Sequence, residues 1–313
     1  MKKTKIIIDC DPGLDDAINL LLAFGSPDEL EILGITTVAG NVAGELTFLN
    51  ARIICQLAGF PETKVYRGCT RPLLRDLVTA GEFHGETGLL GVEIFEPETP
   101  IQPQHGVDFI IETLLSAEET LTLVPTGPLT NIAMAILKEP EILPKIGEIV
   151  LMGGSASAGG NVTPAAEFNI FVDPHAADVV FKCGRPLVLM GLDVTHQAQI
   201  TGAHVSQLAD LNKPVAGFAQ TLINSIRQPY LKRYGQDTAP LHDPCTIAYL
   251  LKPDLFSGKT VNVAVETQSE LCMGATIVDD RQRTERPFNA TWMTGLDAEA
   301  FFHLILERIA RLQ

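Results

Sequence analysis

Short runs of apolar residues closed by Gly, Pro, Asn or Asp alternate along this chain with longer stretches whose apolar positions recur every three or four residues. A run that is apolar at every position suits a strand buried on both faces, and the intervening period suits helices that cover it. The alternation therefore predicts an α/β fold built on a mostly parallel sheet flanked by helices. Predicted strands are 5–9, 31–37, 64–67, 121–125, 148–152 and 186–191, and predicted crossover helices are 15–24, 45–58, 107–117, 131–138 and 174–182. Beyond Thr201 the pattern is mainly helical (202–211, 215–234, 243–251), with short β-type runs at 261–265 and 275–278 and a closing helix at 298–312. No repeat, low-complexity tract or linker interrupts this order, so a single domain over residues 1–313 with extra helices in its C-terminal third is the economical reading.

At 313 residues, 46% hydrophobic and 19% charged, the chain has the composition of a folded protein able to bury a sizeable core. Its net charge of −15 counts against a nucleic-acid partner, which would draw on clustered Lys and Arg. Cys10, Cys55, Cys69, Cys183, Cys245 and Cys272 are scattered, with no CxxC pair of the kind zinc sites use, and are expected to be reduced thiols. No apolar run approaches membrane-spanning length, and Met1-Lys2-Lys3 leads into a short strand rather than a signal peptide, so the cytoplasm is the expected compartment.

Chemistry concentrates where the first predicted strand ends, at Asp9-Cys10-Asp11-Pro12-Gly13-Leu14-Asp15-Asp16. Ligands of open α/β sheets bind outside the carboxyl ends of the strands. Pro12 and Gly13 force a tight turn there, after which Asp15 and Asp16 enter the first turn of a helix. Helix capping accounts for one or two of these aspartates but not for four. Carboxylates crowded together repel one another unless a cation neutralises them, and a hard divalent metal is the natural remedy. An EF-hand is excluded, because position twelve counted from Asp9 is Leu20 where a bidentate Glu belongs. A magnesium-dependent phosphatase of the haloacid-dehalogenase type, with a strand-end Asp-x-Asp, is an alternative that needs a later phosphate-binding Lys.

Further polar islands flank later apolar runs: TVAGN at 37–41, His84-Gly85-Glu86, VPTGPLTN at 124–131, Asn161, Glu167-Phe168-Asn169, and LHDP at 241–244. Each alone has a bland account as a turn former, a loop polar group or, for His242-Asp243, a helix N-cap. Together they offer neutral donors and acceptors, two histidines and few cations, an inventory suited to the hydroxyls of a neutral polyol. Neither a GxxxxGK[ST] nor a GxGxxG phosphate cradle is present, nor a GxSxG nucleophile elbow.

Taken in order, DCDPGLDD, TVAGN, HGE, VPTGPLTN, LMGG at 151–154, AEFNI at 166–170 and HDP make the chain resemble the nucleoside hydrolase family over nearly its whole length, and most closely its inosine–uridine and pyrimidine-preferring members. The resemblance implies an open, Rossmann-like fold and hydrolysis of a ribonucleoside to free base and ribose. It further implies a Ca²⁺ ion held by Asp11, Asp16, Asp243 and the backbone carbonyl of Thr126. By the same matching Asp15 and Asn169 would hold the 2′- and 3′-hydroxyls and Asn161 and Glu167 the 5′-hydroxyl. Met152 and Phe168 would line the pocket, with Asn41 helping from its rim. A homotetramer or dimer is expected.

The chemistry explains why such groups belong together. Breaking an N-glycosidic bond needs an activated water, stabilisation of positive charge at C1′, and help for the departing base. Asp11 is the expected base toward a water activated by the cation, and the clustered carboxylates favour the charge at C1′. His242, next to Asp243, is the expected general acid. His84 is expected to border the base. Ile226, Tyr230 and Tyr234, four residues apart on one predicted helix, are expected to line the base pocket. Tyr230 stands where relatives strict for pyrimidines carry polar residues, notably Gln, which points to acceptance of both inosine and uridine. A non-catalytic protein that binds calcium and a nucleoside is the remaining alternative, disfavoured because Asp11 and His242 are both present.

Overall fold

The computed structural model describes residues 2–313, the side chains of Arg233 and Tyr234 excepted. Its central sheet is formed by β1 (Thr4–Cys10), β2 (Leu30–Thr37), β3 (Val65–Arg67), β4 (Leu121–Pro125), β5 (Ile146–Met152) and β6 (Leu187–Met190), and completed by three later strands. Between them a separate two-stranded ribbon pairs β7 (Gln199–Thr201) with β8 (Thr238–Pro240). The later strands are β9 (Phe256–Val265), β10 (Thr276–Asp279) and β11 (Ala290–Leu296), and the spatial order is β10-β9-β11-β6-β5-β4-β1-β2-β3. β1 to β6 and β11 run parallel, whereas β9 and β10 add an antiparallel edge.

The helices are α1 (Leu14–Phe24), α2 (Gly44–Leu57), α3 (Gly81–His84), α4 (Gly106–Ser116), α5 (Thr130–Lys138), α6 (Phe168–Val172), α7 (Pro174–Phe181), α8 (Leu192–Thr195), α9 (Gly202–Asp210), α10 (Pro214–Tyr234), α11 (Pro244–Leu251) and α12 (Ala298–Ile309). Alternate side chains of β1 serve opposite faces of the sheet. Ile6 and Ile8 join the core under α1, α2 and α12, while Ile7 joins the one under α4, α5 and α7. Each such residue is completely buried and contributes on the order of 1.5–3 kcal/mol of transfer free energy.

Two features of this architecture position the site. From β1 the chain builds outward through β2 and β3 on one side and through β4, β5 and β6 on the other, so the strand order reverses between β1 and β4. A crevice opens at the carboxyl ends of such a pair, and there β1 delivers Asp9 and Asp11 while β4 delivers Thr126. The second feature is α1, which is buried along its whole length. Asp15 and Asp16, on its first turn, are thereby carried out of bulk water.

The predicted strands and crossover helices are present with bounds shifted by a residue or two. The sheet is mostly parallel, as expected, and 256–265 and 276–279 form its antiparallel edge. β11 was not predicted: ATWMTGL interleaves Thr and Gly with its apolar residues and lacks an unbroken run. α3, α6 and α8 span four or five residues, too few for a 3.6-residue period to register.

Candidate active site

The four N-terminal aspartates are held in different ways. Asp9 faces away from the crevice mouth, where Thr36 Oγ1 and Asn131 Nδ2 (2.7 Å) donate to its Oδ1. Asp11 is fully buried, and its Oδ2 accepts the Asn41 backbone N–H at 2.7 Å, while its Oδ1 has no hydrogen-bond partner. A Cβ on Gly40 would lie 2.1 Å from Asp11 Oδ2 and one on Gly127 2.6 Å from Oδ1, so these two glycines allow the backbone to close around the carboxylate. Asp16 accepts from Thr126 Oγ1 (2.8 Å), the Gly13 N–H (3.0 Å) and Asn41 Nδ2 (3.2 Å). Asn41 therefore holds Asp11 and Asp16 from the wall of the cavity that it also lines.

Asp243 arrives from far along the chain, behind β8. It stands at the first position before α11, yet its side chain makes no capping hydrogen bond, so the bland N-cap account of HDP fails and the carboxylate is left for the site. Carboxylate oxygens of Asp15, Asp16 and Asp243 lie within 4.8 Å of one another, a spacing that suits one cation. Asp11 falls outside that group, whereas the sequence placed Asp11 with Asp16 and Asp243. Its partnerless buried Oδ1 is nevertheless an acceptor that a cation or a water would satisfy. The donor set is oxygen throughout, as hard divalent ions require.

Above the carboxylates is a cavity of about 320 Å³. Of the sequence-predicted residues, Asp15, Asn41, His84, Thr126, Met152, Asn161, Glu167, Phe168, Asn169, Tyr230, His242 and Asp243 line it, as does Ile226, while Asp11 and Asp16 lie beneath. The side chain of Tyr234 lies outside the described residues. Thr79, Ala80, Glu82, Phe83, Val162 and Pro240 also line the cavity and were missed. Those at 79–83 precede the HGE motif in a segment without periodicity, and only their adjacency to it marks them.

Local hydrogen bonds show how the polar lining is fixed. Glu167 caps α6: Gly154 N and Ile170 N donate to its Oε2 at 3.0 and 3.2 Å, and Asn169 N donates to its Oε1 at 2.9 Å. Asn169 Nδ2 donates to the Thr126 carbonyl at 2.8 Å. Asn161 Oδ1 accepts from Phe168 N at 2.9 Å, which folds the loop after β5 over the cavity and leaves its amide NH₂ available. On the other wall the rings of Phe83 and Tyr230 stand 6.4 Å apart and tilted. His84 Nδ1 accepts the Leu14 N–H at 3.1 Å, so the proton of its neutral ring sits on Nε2.

Burial dominates the electrostatics. It raises Asp16 to about 7, with Asp15 adding to the shift, and holds Asp11 and Asp243 well above the usual carboxylate range, reinforced by the neighbouring aspartates. Glu167 also rises to about 7 through burial, against the pull of its backbone donors. Burial pushes His242 down to about 4 despite the attraction of Asp15, which favours the neutral ring at physiological pH. A cation among the aspartates removes the mutual repulsion that holds their protons on.

A sequence profile of the inosine-uridine preferring nucleoside hydrolases matches residues 6–303. The chain belongs to this family. The hydrolase is 48% identical over 309 residues to the pyrimidine-specific ribonucleoside hydrolase RihA of Photobacterium profundum, a match covering 97% of this chain and 98% of that protein. It is 35% identical to the solved structure of a purine-preferring ribonucleoside hydrolase from Gardnerella vaginalis, with a TM-score of 0.91 and 98% of each chain covered. A plant nucleoside hydrolase, PpNRh1, superposes with a TM-score of 0.93 at 30% identity over 99% of each chain. The enzyme is thus a ribonucleoside hydrolase acting on N-glycosyl bonds, and both the phosphatase and the non-catalytic alternatives fall. Among the described residues no helix is long and apolar enough to cross a membrane.

Proposed function

We propose that this hydrolase uses Ca²⁺ to cleave the N-glycosidic bond of both purine and pyrimidine ribonucleosides, inosine, uridine and cytidine among them, releasing base and ribose for salvage. The observation that carries this reading is the meeting, at one switch-point cavity, of a buried all-oxygen acidic cluster with His242 on its wall. Asp11, Asp16, Asp243 and the Thr126 carbonyl would hold the ion, with Asp15 close enough to share it with the ribose. The bound ion would supply positive charge that makes a neighbouring water more acidic and draws in the ribose diol.

The remaining steps belong to the chain's own groups. Asp11 takes the water's proton at Oδ1, the oxygen that no protein donor occupies. Asp15 and Asn169 grip the 2′- and 3′-hydroxyls, and Asn161 and Glu167 the 5′-hydroxyl, which orients C1′ toward that water. Positive charge developing at C1′ is stabilised by the carboxylates below it. As the C1′–N bond breaks, its electron pair leaves with the base, next to His242. His84 offers Nε2–H at the base side, and Met152 and Phe168 complete the wall.

Acceptance of both base classes is supported by an aromatic and aliphatic base-side wall, Phe83, Ile226 and Tyr230, which stacks on any base without reading one edge. Names of relatives point both ways, pyrimidine for RihA and purine for the Gardnerella enzyme. We further propose a cytoplasmic homotetramer or dimer. Unpaired cysteines support the compartment, and the exposed apolar Leu271, Ile277 and Phe288 near the β10 edge support assembly. Sedimentation would report the assembly.

The deciding experiment measures ribose release from a panel of nucleosides with Ca²⁺ and with chelator. Calcium-dependent release from inosine, uridine and cytidine is expected. No release from any of them refutes the assignment of substrate. Release from pyrimidine nucleosides alone refutes only the broad base range, and full activity after chelation refutes the ion.

A further inference from the structure

Thr195 is the last residue of α8, completely buried, and is absent from the cavity lining. Its Oγ1 lies 2.8 Å from Nδ1 of His242. A helical Thr hydroxyl ordinarily has a second option, the carbonyl one turn back, but the Gly191 carbonyl is occupied by the backbone N–H groups of Val194 and Thr195 at 3.0 Å each. Among the described residues His242 Nδ1 is the only hydrogen-bond partner of this hydroxyl.

That pairing selects a tautomer. If the single-proton ring carried its hydrogen on Nδ1, that hydrogen would point at Oγ1 and the hydroxyl hydrogen of Thr195 would be buried with nothing to accept it, a desolvation penalty proteins avoid. With the hydroxyl donating to Nδ1, both groups are satisfied and the ring hydrogen sits on Nε2, the nitrogen left to meet a ligand. Donation into Nδ1 also polarises the ring and makes Nε2–H a stronger donor.

Both partners are held rigidly. α8 is tied to the sheet by Leu192 N donating to the Gly154 carbonyl at 2.9 Å, and Gly191 lies so close to Trp292 that a Cβ would approach it to 2.4 Å. On the other side Leu241 N donates to the Ala198 carbonyl at 3.0 Å, which fixes the backbone one residue before His242.

We propose that Thr195 is a positioning residue for leaving-group departure: its hydroxyl donates to His242 Nδ1 and so presents Nε2–H to the base as the C1′–N bond breaks. The electron pair of that bond goes to the base, Nε2–H hydrogen-bonds the resulting negative charge, and the proton that completes the free base comes from water. This rests on the reading of His242 as the group that serves the leaving base.

The test compares uridine with ribosyl 4-nitrophenol, whose leaving group departs without a donor, in wild type, Thr195→Val, Thr195→Ser and His242→Ala. Thr195→Val is expected to lower kcat on uridine by about 10- to 100-fold with KM changed by less than about threefold, while ribosyl 4-nitrophenol turnover stays within about threefold. Thr195→Ser is expected to recover most of the loss, and Thr195→Val added to His242→Ala to cost nothing more. An equal loss on both substrates, or no loss on uridine, overturns the proposal. If His242→Ala itself spares uridine, the role of His242 fails, a result separable from the behaviour of Thr195. The ¹⁵N shifts of His242 in the wild-type protein give a measurement independent of any variant's folding: Nε2–H is expected, and Nδ1–H overturns the proposal.

Discussion

Asp11 sits between Gly40 and Gly127, and both glycines occur in motifs, TVAGN and VPTGPLTN, that also carry polar residues of the site. Their absent side chains matter as much as the neighbouring Asn and Thr. Replacing Gly127 with Ala would press a methyl group against a fully buried carboxylate and against Val38, so activity is expected to fall at least about tenfold, with a lower melting temperature from the crowding. Equal activity in the alanine variant would show that Asp11 has room to move. Asp11→Asn keeps the shape but removes the proposed base, and kcat is expected to fall by about 10²- to 10⁴-fold. A variant within tenfold of wild type counts against Asp11 as the base. The aspartate cluster itself was legible because no structural role needs four carboxylates at one strand end. The division of labour within it was not, because capping and cation binding both place a carboxylate at the start of a helix. Hydrogen bonds show how each is held: Asp16 Oδ2 accepts the Gly13 N–H at the start of α1, while Asp243 caps nothing.

At the scale of elements, the site depends on α1 and α11, which carry Asp15, Asp16 and the approach to Asp243 from opposite ends of the sequence. Thr246 joins them: its Oγ1 donates to the Asp243 carbonyl at 2.8 Å and lies 3.3 Å from Asn19 Oδ1 on α1. Thr246→Val is nearly isosteric and removes that link, so a loss of about 1–2 kcal/mol in stability is expected. Weaker cation binding by titration calorimetry should accompany it, because the two helices then set the distance between Asp16 and Asp243 less firmly. Unchanged cation affinity in a destabilised variant would make the link purely structural. The parallel strands were legible for a physical reason, burial on both faces writing an unbroken apolar run. β11 and the exposed start of β9 break that code with Thr, Gly, Ser and Lys. α8 is too short to have a period, so nothing in the sequence marks Thr195, whereas the LHDP motif marks His242.

For the molecule as a whole, burying carboxylates around a cation couples its stability to pH and to the ion. Asp16 at about 7, with Asp11 and Asp243 also far above the ordinary carboxylate value, means that the ion-free native state holds protons the unfolded chain has already released. Stability falls with rising pH wherever the native state binds more protons than the unfolded one, so these groups make the ion-free enzyme progressively less stable as pH rises from about 4 through 7. His242, lowered to about 4, and His84 act in the opposite sense, being uncharged in the native state where the unfolded chain takes up protons below its ordinary value. They contribute to both ion-loaded and ion-free forms, so the difference between the two forms reports the carboxylates. A cation needs those carboxylates deprotonated, and each proton it must displace weakens its affinity about tenfold per pH unit below the folded-state value. The gap in melting temperature between calcium-loaded and chelated enzyme is therefore expected to widen steadily from pH 5 to pH 8. Differential scanning fluorimetry across that range measures it directly. A gap that stays constant or narrows would mean that the ion is not held by these buried aspartates.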